Sequence, residues 1–275
     1  MKTLTTILNR ITDINIDRFI LRGGISMYKK ANLFFSLVLS LIVLFVTVDK
    51  VAATASDKAI IEKAFKMHIP FVANEGQVDG KVKYYAKTFG GTVFVNESGE
   101  IIYSLLKVEE SGNTSKHKEN FLNETYKKIA GSVSLKEQFL GAKVKKIKGE
   151  AKAGSKVSYF KGDNPKSWKS GISTYKVVNL GEIYEGIELK LKAYGNNVEK
   201  LFYVKPGIEP NNIQVMVSGA KSLSVNDRGE LEVETSLGIV KFTKPVAYQE
   251  KDSKKKYIEV AYAVNGDRYG FKLDN

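Results

Sequence analysis

The residues best placed to do chemistry are carboxylates close in sequence to Trp168, the only tryptophan of the chain. They are Asp163, Glu182, Glu185 and Glu188. Two carboxylates can cleave a glycosidic bond when one donates a proton and the other acts as nucleophile or base. The same residue types also occupy turns and the solvated faces of strands. These side chains therefore define an alternative function, a carbohydrate-active enzyme that uses Asp or Glu near Trp168.

Metal and cofactor chemistry has little support in the sequence. His68 and His117 have no HxxxH or HxxE partner, and the chain contains no cysteine. Asp163 and Asn164 offer oxygen atoms to a calcium ion, but this pair before Pro165 is typical of an Asx turn. No GxSxG elbow, P-loop or dinucleotide-binding motif is present. We therefore predict no catalytic residue, no metal ligand and no cofactor.

Aromatic residues are frequent in the same part of the chain and allow two interpretations. An exposed set would form a platform on which sugars stack, whereas a buried set would pack between strands. Core packing is the commoner role, so we expect Trp168 to be buried beside the turn at residues 162–165. Trp168, Tyr159, Tyr175 and Asp163 are kept as candidate ligand-binding residues. The wider platform would add Phe160, Tyr184 and Tyr194.

The composition bounds the class of protein. Of 275 residues 43% are hydrophobic, so the chain can bury a core. The net charge of +13 raises nucleic acid as a partner. The lysines, however, alternate along strand-like segments, and neither an aromatic-basic RNA-binding motif nor a basic helix is present. The charge therefore indicates a solvated sheet face, and an anionic polysaccharide or a lipid surface suits it better than nucleic acid.

The start of the chain predicts export. Residues 31–48 form a long apolar run that follows Lys29 and Lys30 and precedes an Ala-Thr-Ala site at 53–55. Residues 27–55 therefore form either a secretory signal peptide cleaved after Ala55 or a retained membrane anchor. The mature protein is expected in the periplasm, at the cell surface or outside the cell. Membrane contact is expected only through this segment.

Residues 1–26 fit neither a signal peptide nor an anchor. The codons for residues 22–24 (Arg-Gly-Gly) could form a ribosome-binding site at a suitable distance before Met27. We therefore interpret residues 1–26 as a translated leader that arises from a mis-assigned start. N-terminal sequencing of the intact precursor checks this, because a precursor that begins at Met1 contradicts it.

Short strand-like segments with turns every eight to twelve residues predict the fold. Ile187, Leu189 and Leu191 alternate with polar residues, and a Gly-Asn-Asn turn at 195–197 leads into the next strand. The segments 257–264 and 268–273 flank Asn265-Gly266, which suits a type I′ turn. We predict an all-β fold, an antiparallel β-sandwich preceded by an N-terminal signal or transmembrane helix.

Two segments of the chain resemble each other, and this favours a duplicated architecture. Residues 95–101 (VNESGEI) match residues 225–231 (VNDRGEL), and strand-like residues precede both. We predict two equivalent hairpin turns in two related sandwich-like halves, 56–148 and 155–275, with a linker at 149–154. A single module over residues 56–275 remains the alternative.

A series of segments, taken in order, resembles one known family. The series is similar to the amino-terminal module of bacterial SBBP-repeat (β-propeller repeat) surface proteins, a domain of unknown function. The departures are Ser158 in place of an Asn and Asn164 between Asp163 and Pro165. The segments are 71–77 (FVANEGQ), 82–86 (VKYYA), 158–168 (SYFKGDNPKSW), 184–189 (YEGIEL), 204–207 (VKPG), 219–220 (GA), 229–231 (GEL) and 244–249 (KPVAYQ).

The resemblance implies a secreted or surface bacterial protein with a β-rich module. It transfers no catalytic residue, and it implies adjoining β-propeller repeats as partners, which the chain to Asn275 does not contain. The sequence therefore favours a non-enzymatic extracytoplasmic interaction or scaffold module that binds a surface protein or a glycan.

Overall fold

The structure, a computed structural model, describes residues 4–14, 66–109, 128–195, 197–251 and 254–273. Contacts divide the chain into two units, Met1–Asn15 with His68–Asn275, and Ile16–Met67. The predicted signal or anchor at 27–55 and His117 lie outside the described residues. Within the described ranges, no helix is long and apolar enough to cross a membrane.

Antiparallel strands build the first unit, with single 3-10 turns at Pro165–Ser167 and Pro210–Asn212. The strands of the described residues are β1 (Leu4–Ile14), β2 (His68–Ile69), β3 (Phe71–Ala73), β4 (Val82–Thr88), β5 (Gly91–Asn96), β6 (Ile101–Glu109), β7 (Lys128–Phe139), β8 (Lys148–Tyr159), β9 (Lys169–Tyr184), β10 (Ile187–Tyr194), β11 (Val198–Val204), β12 (Gln214–Ser218), β13 (Ser222–Val225), β14 (Leu231–Thr235), β15 (Gly238–Phe242), β16 (Val246–Lys251), β17 (Lys254–Ile258), β18 (Val260–Asn265) and β19 (Arg268–Leu273).

Strand β9 is the junction of the main sheet. It pairs with β8 along one edge and with β10 and β3 along the other. One arm of the sheet continues through β3, β4, β5, β6, β7, β12, β19 and β18. The other arm continues through β10, β11, β1, β16 and β17. A smaller sheet contains β13, β14 and β15, and β15 also pairs with the end of β1.

The two arms face each other across one hydrophobic core. The ring of Phe139 on β7 packs against Phe202 on β11, with the ring centroids 6.1 Å apart. Tyr103 on β6 packs in the same way against Phe242 on β15. The predicted antiparallel all-β class is thereby confirmed. The core contains residues of both predicted halves, and the segment 149–154 lies inside β8 rather than in a linker.

The period-two pattern of β10 places its side chains as predicted. Ile187, Leu189 and Leu191 are fully buried, whereas the polar residues between them are half-buried. The predicted hairpin is confirmed, because Ala193 pairs with Val198 across the turn. The alternation of apolar and polar residues predicts the burial of these side chains correctly because β10 has one face on the core and the other near solvent.

The C-terminal hairpin forms, but its turn differs from the predicted one. Asn265 pairs with Arg268 as the last rung of the β18–β19 ladder, so the turn consists of Gly266 and Asp267. Gly266 has a φ of +60°, and Ala151 is the only non-glycine with positive φ among the described residues. Glycine at the first turn position is typical of type II′, so the predicted type I′ turn is wrong. Tyr257 belongs to the separate strand β17, which pairs with β16.

The predicted internal duplication extends only to the turns. Residues 96–100 connect β5 to β6, and residues 226–230 connect β13 to β14, each between antiparallel neighbours. The strands before the turns differ, because β4 pairs with β5, whereas β12 pairs with β7 and β19. β12 and β13 thus belong to different sheets, and the matched sequences do not extend into matched strand pairings.

Within the segment predicted to be leader, Leu4–Ile14 forms β1. Thr5 pairs with Val204 of β11 on one side and with Gln249 of β16 on the other. β1 thereby joins β11 to β16 in the second arm of the sheet.

Candidate interaction surface

The candidate residues lie on the hairpin of β8 and β9. β8 has no buried residue, so the core holds this hairpin only in part. Ile172 of β9 anchors it, because this side chain is fully buried in a small cluster with Val72 and Tyr85. Beyond the anchor every residue from 160 to 168 is exposed, and we call this segment the hairpin tip.

Local hydrogen bonds define the conformation of the hairpin tip. Gly162 has a φ of +75°, which a residue with a Cβ adopts only with strain. Asn164 Oδ1 accepts a hydrogen bond from the backbone N–H of Lys166 at 3.0 Å and caps the 3-10 turn that follows. The predicted Asx turn is confirmed. Among the described residues, no group of three His, Asp or Glu side chains is arranged to hold a metal ion.

Trp168 is 41% exposed, so the prediction of a buried indole is wrong. Its Nε1–H donates to the carbonyl of Gly162 at 3.0 Å, as expected for a residue beside that turn. The ring of Phe160, itself 65% exposed, meets the indole edge-to-face at a centroid distance of 5.5 Å. Hydrogen bonding thus satisfies the indole N–H, while the Phe160 ring and part of the indole stay accessible. The physical reason is location, because at the tip no second layer of side chains covers the ring.

Two of the other candidates lie near the tip. Asp163 is exposed within the tip itself. Tyr159 pairs with Lys169 at the base of the tip and is half-buried. The ammonium of Lys87 lies 5.4 Å from the centroid of the Tyr159 ring. A hydrogen bond with Tyr85 and the charge of Lys87 lower the pKa of Tyr159. Tyr159 therefore connects the tip to the anchor rather than extending the aromatic surface.

Tyr175 is separate from the tip. Six residues of β9, 169–174, lie between it and Trp168, which corresponds to roughly 20 Å along a strand. Its ring packs edge-to-face against Tyr84 and lies directly over Gly149, where an added Cβ would come within 2.3 Å of the ring. Tyr175 is therefore a packing residue. Tyr184 and Tyr194 also have other contacts, so the six-residue platform does not form.

The hairpin is strongly basic. Residues 151–181 contain six lysines and one acidic residue, Asp163. Within the described part of the chain, none of these lysines lies within ion-pair distance of a carboxylate. The positive charge around Phe160 and Trp168 is therefore available to an anionic partner. The lysines concerned are Lys152, Lys156, Lys161, Lys166, Lys169 and Lys176.

Glu182 and Glu185 line a shallow groove of about 420 Å³ together with Lys143 and Lys145. Glu182 binds Lys205 at 2.5 Å and accepts the N–H of Gly186 at 3.2 Å. These hydrogen bonds lower the pKa of the Glu182 carboxyl. Glu182 therefore stabilises the β9–β10 turn as an ionised group, which does not suit a general acid.

Glu188, one of the predicted catalytic candidates, shares its hydrogen-bond donors with Glu150 of β8, which was not among them. Both carboxylates accept from Nδ2 of Asn179 at 2.7 Å, and Lys190 binds both of them. The amide of Asn179 thus bridges the two carboxylates. The hydrogen bond from Asn179 and the charge of Lys190 lower the pKa of Glu150, against a smaller effect of burial. The geometry thus gives this pair a structural role in joining β8, β9 and β10.

The sequence analysis placed Phe160 in the wider aromatic platform but not among the four candidate ligand-binding residues. Successive residues of a strand point to opposite faces. Val157 and Tyr159 pack towards the anchor cluster, so Phe160 must point away from it. The order of these residues contained that signal, whereas the exposure of Trp168 depends on the absence of a covering layer.

Comparison with known proteins gives one match. The model of the family described as Domain of unknown function (DUF7948) matches residues 71–275. No curated protein and no solved structure matches the chain. The match begins at β3, includes the whole β8–β9 hairpin and covers well over half of the sequence. The chain therefore belongs to the DUF7948 family of domains of unknown function.

Proposed function

We propose that the chain is a non-enzymatic extracytoplasmic interaction module that binds an anionic glycan through the hairpin tip. The observation that carries the proposal is the exposed Phe160–Trp168 pair in the outer part of the hairpin, where residues 151–181 contain six lysines and one acidic residue. Aromatic faces stack on the apolar faces of sugars, and the lysines attract carboxylate or phosphate substituents. A surface protein with an acidic patch is the alternative partner, which the experiment below distinguishes.

The proposed module is exported and adjoins β-propeller repeats. Export is supported by the apolar run at 31–48 and the Ala-Thr-Ala site at 53–55. A sandwich-like scaffold role beside β-propeller repeats is supported by the ordered resemblance to SBBP-repeat proteins. The carbohydrate-active enzyme remains the alternative function, and we favour it less because hydrogen bonds lower the pKa values of Glu150 and Glu182, which does not suit a general acid.

The sole tryptophan makes the experiment specific. The full chain is screened on a glycan array, and each hit is titrated while the fluorescence of Trp168 is recorded. We expect anionic glycans to be retained, to shift the emission and to bind more weakly as salt is added. Retention on the array does not need the fluorophore, and by this measure Trp168→Ala and Phe160→Ala are expected to bind about tenfold or more weakly, which corresponds to about 1.4 kcal/mol.

Tyr257 provides a matched control. It is 68% exposed, packs edge-to-face on Tyr248 and follows three lysines, but lies on β17. Tyr257→Ala is expected to bind glycans normally. Loss of binding in this variant, or normal binding by Trp168→Ala, would contradict a site at the tip. An array without hits combined with capture of an acidic surface protein would favour the alternative partner.

The exposure of Trp168 also sets the expected stability of the variant. Because no core packing is lost, Trp168→Ala should lower the free energy of unfolding by less than about 1 kcal/mol, against about 3 to 5 kcal/mol for a buried tryptophan. Urea denaturation followed by circular dichroism measures this difference and shows that a binding defect does not arise from unfolding.

A further inference from the structure

The core of the first unit encloses a network of polar side chains from four strands. Glu137 of β7, Lys200 of β11 and Tyr269 of β19 have no exposed surface, and Tyr103 of β6 is 1% exposed. Lys200 Nζ lies 2.6 Å from Glu137 Oε1 and 2.7 Å from Oε2. Tyr269 OH donates to Oε1 at 2.5 Å, and Tyr103 OH donates to Oε2 at 2.6 Å. Each carboxylate oxygen thus accepts one hydrogen bond from the Lys200 ammonium and one from a tyrosine hydroxyl.

Aromatic rings surround this network. The centroid of the buried Phe242 ring is 4.4 Å from Lys200 Nζ, and that of Tyr269 is 5.5 Å away. Moving two ions from water into such a site costs several kcal/mol per ion, and the attraction between the two charges offsets this cost only in part. Burial lowers the pKa of Lys200, although the carboxylate of Glu137 opposes this effect. Burial also raises the pKa values of Tyr103 and Tyr269 well above the usual range, so both hydroxyls keep their protons.

We propose that Lys200 and Glu137 condense to an isopeptide bond between Lys200 Nζ and Glu137 Cδ, which links β7 covalently to β11. The nucleophile and the carboxyl group are already in contact and held from four strands. Such positioning replaces a bimolecular encounter by an intramolecular one, and this lowers the reaction barrier by a large part. Each tyrosine hydroxyl contacts one carboxyl oxygen, so one of them serves as a donor to the oxygen on which negative charge develops and the other contacts the oxygen that leaves.

The reaction balances without a co-reactant. A proton moves from the Lys200 ammonium to the Glu137 carboxylate, which gives a neutral amine and a carboxylic acid. The amine lone pair then attacks Cδ, the C–N bond forms, and the carbonyl electron pair moves onto the oxygen. The nitrogen transfers a proton to the hydroxyl group, the electron pair on the oxyanion re-forms the carbonyl, the C–O bond to the protonated hydroxyl breaks, and one water molecule leaves. The product is a neutral amide, so the condensation removes both charges from the apolar core.

The cross-link has a clear structural consequence. β7 and β11 belong to opposite arms of the main sheet, and the chain has no cysteine with which to link them. A bond between residues 137 and 200 closes a long loop in the unfolded chain and thereby restricts the unfolded ensemble. The denatured protein is therefore expected to stay more compact than a linear chain of the same length.

Mass spectrometry of the purified full chain tests the proposal. After the N-terminus of the sample has been sequenced, the intact mass under denaturing conditions is expected to be lower than the sequence mass by one water molecule. Trypsin should leave the bond after Lys200 uncut, and this residue should be joined to the peptide 137–143. A mass equal to that of the sequence overturns the proposal and leaves an ordinary buried ion pair.

The location of the mass loss and one variant complete the test. A loss of water that tandem mass spectrometry assigns to other residues also overturns the proposal. Lys200→Met keeps the length of the side chain but lacks the amine, so its mass is expected to equal that of its sequence and its mobility on a denaturing gel should fall. The wild-type measurement remains decisive if this variant does not fold.

Discussion

Two turns with the same sequence pattern have the same hydrogen bonds in different surroundings. In residues 96–100 and in residues 226–230, the Asn N–H donates to the carbonyl of the Glu four residues later. The Asn side chain accepts from the N–H of that Glu and donates to its carboxylate. The Gly N–H donates to the Asn carbonyl, and both glycines, Gly99 and Gly229, have positive φ.

The surroundings of the two turns differ. Asn96 and Gly99 are buried, and a Cβ on Gly99 would come within 2.5 Å of Val144 Cγ2. Gly229 is half-buried, and its nearest neighbour is the flexible side chain of Lys244 at 3.3 Å. The same local pattern thus forms the same turn in both places. The packing around it determines how much stability a substitution removes.

The largest expected effect comes from Gly99→Ala. Alanine would have to adopt a φ near +83° and would clash with Val144, which is packed against the core. Strain of about 1–2 kcal/mol and overpacking of about 1–3 kcal/mol should together lower the free energy of unfolding by about 2–5 kcal/mol. Urea denaturation gives the value.

Gly229→Ala is the matched control. It has the same strain, but the side chain of Lys244 can move aside, so we expect a loss of about 1 kcal/mol. Equal losses in the two alanine variants would show that packing does not distinguish the turns.

The next effect concerns the asparagines. Asn96→Ala removes a buried side chain and leaves the half-buried N–H of Glu100 without its acceptor, which should cost about 2 kcal/mol. Asn226→Ala removes the equivalent bonds at a more exposed turn, where water replaces them, and should cost about 1 kcal/mol. Thermal unfolding of both variants measures the difference. A larger loss for Asn226→Ala would reverse the assignment of the buried and the exposed turn.

The smallest expected effect is on acid stability. Burial raises the pKa of Glu100, but the hydrogen bonds of Lys136 and Asn96 outweigh it, so the pKa lies below its ordinary value of 4.5. Beside the second turn, hydrogen bonds from Asn226 and Lys241 lower the pKa of Glu232, which lies on β14. A carboxyl group with a lowered pKa in the folded state contributes its full stabilisation at a pH above its pKa in the unfolded chain. This stabilisation disappears as the pH falls through the pKa of the folded state.

Substitution of either glutamate therefore should flatten the loss of stability below about pH 4.5. The comparison is between Glu100→Gln, Glu232→Gln and the wild type, with the midpoint of urea denaturation measured across the acid range. A flatter curve in one variant alone would show that the two turns differ electrostatically as well as in packing.

Period-two alternation also contained information about the buried network that sequence analysis did not use. Lys200 is in phase with Val198 and Phe202, and Glu137 is in phase with Leu135 and Phe139. A charged residue at an inward position of each strand marks two strands with buried charge. The sequence cannot show that the two positions meet, because 63 residues separate them.

The sequence by itself determined the strand class, the alternation of β10, the β10–β11 hairpin and the Asn-x-x-Gly-Glu turns. Each of these depends on contacts between residues a few positions apart, so the local pattern contains them. Tertiary structure decided that β12 and β13 belong to different sheets, that Trp168 is exposed and that Glu137 meets Lys200. These outcomes depend on which distant strands cover a residue, and burial is a property of the assembled arms rather than of the local sequence.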